Sequence, residues 1–413
     1  MARMLSKLLK QLAELGPAFF IIGYVIGTGS VTSMVISGAR YGLSFWWALF
    51  LSCLFTCFLL IAISRLTIVT GQTLMFSFKQ HFGKFFTLFI MGALVISIVS
   101  SVIGVMGIVA DVFQEWVSQA TGGTIKISKV VIALVFIFLL LVLYWTGKHK
   151  NFITGMTIMV ALMALCFVAT SFMVLSGPGV NVSEFFPDNI VAENTGLVIA
   201  GMVGTTMAGV CLVSRSILVQ EQGWQVKDIP FENKDAGYSM LLTFIISLAI
   251  MVCAAGTLYL QGIEIDNPID MMIALEPLAG EFAMTIFALG ILAAGLSSIF
   301  PNLLLFPWLL SDYNDSPREM NRSLYKVIVV LVGLCTIIVP VFGGRPIWIL
   351  IASQALSPFI MPLLTLFLLI LLNRKDVMKQ YTIGWGMNVA LGATLVFNCY
   401  MLFVAFNGFL NFV

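Results

Sequence analysis

Charged residues are scarce in this chain. Only 10% of its 413 residues are Asp, Glu, Lys or Arg, whereas 60% are hydrophobic and the mean hydropathy is +1.06. Soluble globular domains carry about 25% charged residues, so the composition excludes a soluble globule and indicates a polytopic membrane protein. The net charge of +2 gives no reason to expect nucleic acid as a partner.

Histidines, paired cysteine motifs and nucleotide-binding motifs are rare or missing as well. The two histidines, His81 and His149, fall at loop edges, and the seven cysteines are scattered through apolar stretches without CxxC spacing. This pattern argues against a zinc site and against disulfides. The chain contains no GxxxxGK[ST] sequence, which argues against a nucleotide-driven pump. The predicted spans contain no acid–base pair of the kind that an enzyme would use, so we do not expect an enzyme. We also expect no cofactor.

Long apolar runs, in contrast, are abundant. A transmembrane helix needs about 20 mostly apolar residues. Eleven such runs are present, at residues 16–39, 44–63, 86–110, 128–146, 152–175, 196–219, 238–260, 283–309, 325–343, 347–372 and 385–409. The loops between them are short, which predicts one transmembrane domain over residues 1–413. We expect an all-α polytopic protein that works as a monomer in the lipid bilayer.

The basic residues fall mostly on one side of these spans. Cytoplasmic loops are enriched in Lys and Arg. With a cytoplasmic N-terminus, only Arg40, Lys126, Lys129 and Arg345 of the 21 basic residues lie on the outer side. The basic N-terminal segment leads into the first span without a small-residue cleavage site, which favours a retained span over a signal peptide. We predict a plasma-membrane protein with a cytoplasmic N-terminus and an extracellular C-terminus.

Small residues interrupt two of the spans at their centres. The first span contains Gly27-Thr28-Gly29-Ser30, and the sixth contains Gly204-Thr205-Thr206-Met207-Ala208-Gly209. Glycine is about 1 kcal/mol less favourable than alanine inside a helix. Interruptions at matching positions five spans apart are typical of a five-plus-five inverted repeat with the cargo bound at the breaks. We predict repeats over about 16–175 and 196–372, followed by an extra helix over 385–409.

Five short motifs, in order along spans one to ten, carry a family resemblance. They are Gly16-Pro17 with Ile22-Gly23-Tyr24, then RLTIVTG at 65–71, SILVQ at 216–220, AAGLSS at 293–298 and SQALSPF at 353–359. These motifs resemble those of the natural resistance-associated macrophage protein (Nramp) family of divalent-metal transporters. The resemblance implies a LeuT-type fold in which helices one and six are broken. We predict alternating access, in which spans one and six rock against a scaffold of spans three to five and eight to ten.

The residues expected to bind the metal differ from the family pattern. The resemblance implies that the family's metal-binding aspartate and asparagine of span one correspond to Gly27 and Ser30, and its span-six methionine to Ala208. A methionine sulfur favours transition metals over hard ions. The usual metal ligands are therefore replaced, and the metal preference is unknown from the motifs.

The groups expected to carry protons differ too. By the same resemblance, the span-three acids correspond to Ile98 and Ser101, the second span-six histidine to Arg215, and the span-eight glutamine to Leu296, whereas Gln354 is retained. Ser101 and Arg215 are candidate gating or coupling residues. The simpler interpretation of Arg215 is a side chain that snorkels to the cytoplasmic surface. We do not expect proton coupling through the family's usual residues.

The predicted substrate site combines backbone groups at the two breaks with hydroxyl and amide side chains. Its residues are Gly27, Thr28, Gly29, Ser30, Thr205, Thr206, Ala208, Gly209 and Gln354. Removing water from a divalent ion without a compensating anion is costly, and Mg²⁺ prefers oxygen ligands and keeps its water. We therefore predict a transporter of a hydrated, magnesium-like divalent cation.

Two other functions stay open. The stretch Val25-Ile26-Gly27-Thr28-Gly29 is also similar to the GSG or GTG break of amino-acid transporters with this general fold. In such a break, backbone amides at a helix N-terminus hold the substrate carboxylate. The alternative is therefore a transporter of a small organic solute or anion, and the third possibility is a sensor or scaffold that transports nothing.

Overall fold

The computed structural model describes residues 27–146, 149–177, 182–186, 194–265, 267–316 and 322–412. The first half of the predicted first span, residues 16–26, lies outside the described residues, and so do the motifs Gly16-Pro17 and Ile22-Gly23-Tyr24. No β-strand occurs within the described ranges, which are almost entirely helical.

The helices follow one another through short connections. They are α1 (Thr28–Tyr41), α2 (Trp46–Thr70), α3 (Leu74–Phe82), α4 (Lys84–Ala120), α5 (Lys129–Thr146), α6 (His149–Leu175), α7 (Thr195–Thr206), α8 (Gly209–Gln222), α9 (Ile229–Ala254), α10 (Glu276–Ala279), α11 (Ala283–Tyr313), α12 (Ser323–Cys335), α13 (Ile338–Phe342), α14 (Pro346–Gln354), α15 (Ser357–Asn373), α16 (Lys375–Met378) and α17 (Trp385–Phe412). Helix α9 continues into a π-helical turn at Ala255–Tyr259, and 3₁₀ turns fill several of the connections.

Ten helical segments in the described ranges are long and apolar enough to cross a membrane. They correspond to predicted spans two to eleven. The first predicted span is represented by α1, which has 14 residues. The bounds differ clearly at span seven, which was predicted to begin at 238, whereas α9 begins at Ile229. The acids Glu232 and Asp235 end the apolar run in the sequence, but in the folded chain both are buried against the arginine Arg215.

The packing of the two halves follows one scheme. Helix α1 of span one packs against α9 of span seven, and α7 and α8 of span six pack against α2 of span two. Likewise, α4 packs against α14, and α11 packs against α6. Each pairing corresponds to the other when every span is exchanged with its counterpart five positions away in the other half. The contacts therefore agree with the predicted five-plus-five repeat. Helix α17, the predicted extra helix, packs against α7 and α15.

Candidate functional site

The N-terminus of α1 lies at the predicted first break. Gly27 has an extended backbone (φ −88°, ψ −176°), and the helix begins at Thr28. Thr28, Gly29 and Ser30 therefore form the first helical turn. The N–H groups of a first turn have no partner within the helix. The segment is therefore helical, and the N–H groups of its first turn are available as hydrogen-bond donors.

Span six is broken in the predicted segment. Helix α7 ends at Thr206, Met207 and Ala208 leave the helical conformation (ψ 41° and ψ 119°), and α8 begins at Gly209. At this point the last carbonyls of α7 and the first amides of α8 both lack intrahelical partners. The prediction of a broken sixth helix is confirmed.

A third break, in span ten, was not predicted. Helix α14 ends at Gln354 and α15 begins at Ser357, with a proline near its start. The sequence signal was Pro358, because proline is favoured in the first turn of a helix. Gly204 lies directly against this break, since a Cβ added there would be 2.0 Å from the Gln354 carbonyl oxygen. A glycine is therefore required for α7 to approach the end of α14.

The three breaks surround a small cavity of about 30 Å³. Seven residues predicted for the site or its coupling line it: Gly27, Gly29, Ser30, Ser101, Thr205, Ala208 and Gln354. Its other lining residues are Ser97, Ile98, Val105, Val210, Ser298 and Asn302. A single water needs roughly 10–15 Å³ of such space, so the cavity in this conformation is closed around a volume of a few atoms.

Three of the residues predicted for the substrate site, Thr28, Thr206 and Gly209, are not among those that line the cavity. Thr28 is buried, and its Oγ1 atom has no hydrogen-bond partner in the described part of the chain. Thr206 donates from its hydroxyl to the Met202 carbonyl oxygen at 3.3 Å. Gly209 packs toward Leu94, whose Cδ2 atom would lie 2.9 Å from an added Cβ. These three residues lie at the breaks in spans one and six but not in the cavity wall.

Polar side chains connect the helices around the cavity. Gln354 donates from Nε2 to the Ser101 hydroxyl at 3.3 Å, which links α14 to α4. The same Nε2 atom would lie 2.8 Å from a Cβ at Gly29, so the amide also lies against the first turn of α1. The hydroxyls of Ser30 and Ser247 are 3.5 Å apart. The retained glutamine is thus the contact between the first and tenth spans.

Sequence reasoning missed the contribution of the eighth span. Ser298 and Asn302 lie one turn apart on α11, and the Asn302 amide donates to the Ser298 carbonyl oxygen at 3.0 Å. Ser97 precedes Ser101 by one turn on α4. Polar residues four positions apart share a helix face. This spacing inside otherwise apolar runs was the available signal.

The cavity wall mixes polar and apolar groups, and the described residues that line it carry no formal charge. Within the described ranges, no group of three or more His, Cys, Asp and Glu side chains is placed to hold a metal ion. The N-termini of α1 and α8 both face this region, and a helix N-terminus carries about half a positive charge. The donor set therefore consists of hydroxyls, amides and backbone groups.

Larger cavities lie at the far ends of α1 and α8. The cavity beyond α1 has a volume of about 560 Å³, and Arg40, Asn194, Arg345 and Trp348 contribute to its wall. The Arg40 guanidinium lies over the Trp348 ring at 4.9 Å. The cavity beyond α8 has about 500 Å³ and a wall that includes Asp312, which accepts a hydrogen bond from Thr73. The small cavity is thus between two vestibules.

Arg215 lies on α8, away from the cavity lining, and it does not snorkel. Its side chain is fully buried, with Nη2 2.9 Å from Glu232 Oε1 and Nη1 2.7 Å from Asp235 Oδ2. Its Nε donates to the Ser64 hydroxyl at 3.0 Å. The expectation of a solvated head group is wrong because α9 supplies two carboxylates that the linear sequence places 17 and 20 positions later.

Relatives and solved structures share this architecture. The "Divalent metal cation transporter MntH" of Clostridium acetobutylicum is 23% identical over 410 residues, which cover 95% of this chain and 91% of the relative. The crystal structure of the Eremococcus coleocola manganese transporter with an aromatic bis-isothiourea substituted compound matches with a TM-score of 0.73 at 16% identity, covering 95% and 85% of the two chains. The crystal structure of MhsT with L-phenylalanine matches with a TM-score of 0.65 at 15% identity, covering 95% and 98%.

These structural likenesses confirm the predicted LeuT-type fold. The ten long apolar helices in the described ranges agree with a multi-pass membrane protein. A family model described as "Natural resistance-associated macrophage protein-like" matches residues 18–406, which is nearly the whole chain. The chain belongs to the Nramp family, as its motifs predicted.

Proposed function

We propose that this chain is a secondary transporter that moves a divalent cation across the plasma membrane by alternating access. The observation that carries the proposal is an uncharged cavity, lined by oxygen and amide groups, at the broken helices of an Nramp scaffold. The relative and the solved structure with the same scaffold are named for divalent metal and manganese transport.

The chemistry of the lining favours an ion that keeps its water. Ser30, Ser101, Thr205 and Gln354 offer dipoles but no charge to replace a hydration shell. Full dehydration of a divalent ion by such groups is too costly, and the softest family ligand, a methionine sulfur, is replaced by Ala208 under the proposed correspondence. A hard, hydrated ion such as Mg²⁺ suits these donors.

Transport requires the small cavity to open. We infer that α1, α7 and α8 move against α4, α11 and α14, and that the two vestibules alternate as the entrance and the exit. Parting of Gln354 from Ser101 would widen the cavity between α14 and α4. The loop charges favour a cytoplasmic position for the vestibule beyond α8. The substrate gradient or the membrane potential then drives movement.

A small anion or zwitterion is a second candidate for the cargo. The N-termini of α1 and α8 converge on the cavity, and their partial positive charges favour a carboxylate over a cation. Arg40 and Arg345 add positive charge to the vestibule beyond α1. These features distinguish the two candidates, because they would repel a divalent ion and attract an anion.

Uptake into proteoliposomes decides between the candidates. We expect Mg²⁺ entry above that of empty liposomes, with a Gln354→Leu variant reduced and a Gln380→Leu variant, altered at an exposed glutamine, unchanged. Mn²⁺, Ca²⁺, a panel of amino acids and small anions are measured in parallel. Entry of an amino acid or anion without any divalent ion would favour the second candidate. No entry of any solute would favour a sensor or scaffold.

A double substitution tests the proposed alignment of the site. Gly27→Asp with Ala208→Met places a carboxylate and a thioether at two positions that both line the cavity. Carboxylate and thioether ligands together suit Mn²⁺ better than neutral oxygens do. We expect Mn²⁺ binding by calorimetry in this variant and none in Gly27→Asn with Ala208→Leu. A folded Asp/Met variant without Mn²⁺ binding would contradict the alignment.

A further inference from the structure

A cluster of three charged side chains is enclosed between α2, α8 and α9. Arg215 on α8 pairs with Glu232 and Asp235, which lie one turn apart on α9, at 2.9 and 2.7 Å. The side chains of all three are fully shielded from solvent. Ser64 on α2 accepts a hydrogen bond from Arg215 Nε. The Ser64 hydroxyl is also close enough to the Glu232 carboxylate to hydrogen-bond to it. We call these three charged residues the buried triad.

The formal charges of the buried triad do not cancel. One guanidinium faces two carboxylates, so the ionised triad carries one excess negative charge. Glu232 lies in the first turn of α9, whose N-terminus contributes about half a positive charge. That partial charge reduces the excess without removing it. An uncompensated charge in a region without water is strongly unfavourable.

One carboxylate oxygen of the triad, Glu232 Oε2, is placed so that it can bind a proton. Glu232 Oε1 accepts a hydrogen bond from Arg215 Nη2, whereas Glu232 Oε2 is buried without a hydrogen-bond partner among the described residues. A proton on Oε2 would leave the Arg215 contact intact. It would also turn an anionic oxygen without a partner into a neutral hydroxyl.

The other groups that face the triad do not supply the missing positive charge. Cys57 on α2 and Cys211 on α8 are close enough to interact electrostatically with it. The Trp224 ring lies 5.6 Å from the Arg215 guanidinium. Lys234, between the two acids in sequence, is exposed. A proton fits where a metal ion does not, because it adds no volume to a site that is already fully enclosed.

We propose that the buried triad is a proton-binding site, in which the Glu232 carboxylate takes up one proton and becomes a neutral carboxylic acid, coupled to Asp235 through their shared arginine. The site is outside the cavity lining and goes beyond the proposed cation transport. Arg215 belongs to α8, the half-helix inferred to move, so loss of the proton adds a charge to the interface that α8 makes with α2 and α9.

Infrared spectroscopy of the purified full chain in lipid nanodiscs, without any transported solute, tests this site directly. Between about pH 5 and about pH 9, we expect a C=O stretching band of a protonated carboxylic acid that shifts in D₂O and weakens as the pH rises. Glu232→Gln is expected to remove this band, and Glu276→Gln, at an exposed acid, to leave it unchanged. Absence of the band from the unaltered chain at every pH would overturn the proposal.

A second readout covers variants that fold poorly. If the folded chain holds this proton more tightly than the unfolded chain does, stability must fall as the pH rises through the range in which the proton leaves. We expect the midpoint of thermal unfolding to decrease over the range in which the band weakens, and this dependence to flatten in Glu232→Gln and in Asp235→Asn. A band and a pH dependence that both persist in these variants would contradict the proposal. Neither readout depends on which solute is transported.

Discussion

The two halves of span six, α7 and α8, place different kinds of polar group inside the membrane. Helix α7 brings the Thr205 hydroxyl to the small cavity, where the described lining groups carry no formal charge. Helix α8 brings Arg215 into contact with two carboxylates and seals all three from solvent. A neutral polar group loses less free energy than a charge when water leaves it, whereas a charge without water needs a partner at hydrogen-bond distance.

The comparison suggests different roles in a moving helix. We expect the small cavity to open and refill with water, because its hydroxyl and amide groups can also hydrogen-bond to water. The buried triad cannot be opened without hydrating its charged groups together, so we expect it to hold α8 to α2 and α9 until its charge changes.

The largest effect is expected from Arg215→Met, which leaves two carboxylates facing each other without their cation. Removing one partner of a buried ion pair costs about 3–5 kcal/mol. We expect a strongly lowered midpoint of thermal unfolding in detergent, or loss of folded protein.

The matched control neutralises the whole triad. Arg215→Met combined with Glu232→Gln and Asp235→Asn removes the uncompensated charge, and buried ion clusters replaced by neutral groups are often no less stable. We expect this triple variant to recover most of the lost stability. A single variant as stable as the unaltered chain would show that the triad does not hold α8 in place.

The next effect is expected from Gly204→Ala at the neutral break. The new Cβ would lie 2.0 Å from the Gln354 carbonyl oxygen, a backbone atom. Overpacking against backbone costs about 1–3 kcal/mol, so we expect a lowered unfolding midpoint. Gly392→Ala on α17 has no atom within 4 Å of its new Cβ and is expected to be neutral or stabilising by up to about 1 kcal/mol. Equal midpoints for both variants would contradict the close approach.

The sequence predicted the spans, the broken sixth helix and the five-plus-five repeat because these depend on local patterns of apolar and small residues. It did not predict the buried triad, since Glu232 and Asp235 lie 17 and 20 positions after Arg215 and only folding brings the three side chains together. The break after Gln354 was missed because Ala355 and Leu356 are ordinary helix formers. Ser298 and Asn302 were missed because the packing of α11, rather than composition, turns them toward the cavity.

A smaller effect, on transport more than on stability, is expected from Gln354→Leu. The substitution removes the donor to Ser101, and a neutral hydrogen bond contributes about 0.5–1.5 kcal/mol. We expect the initial rate of cation uptake to fall by up to about tenfold, with an unfolding midpoint close to that of the unaltered chain. Gln354→Asn keeps the amide and is expected to retain more activity than the leucine variant. Equal uptake by all three chains would place the amide outside the transport path.

The smallest effect is expected at an ion pair that has water around it. Arg374 donates from Nε to Asp376 Oδ1 at 3.1 Å, and both side chains are exposed. The arginine holds the pKa of Asp376 below its usual range, so any stabilisation exists above the ordinary range of an aspartate and is lost as the pH falls through the lowered pKa. Because solvent screens exposed pairs, we expect Arg374→Gln to leave the unfolding midpoint unchanged at neutral pH. A shift as large as that of Arg215→Met would mean that the pairing itself, rather than enclosure from water, gives the buried triad its effect.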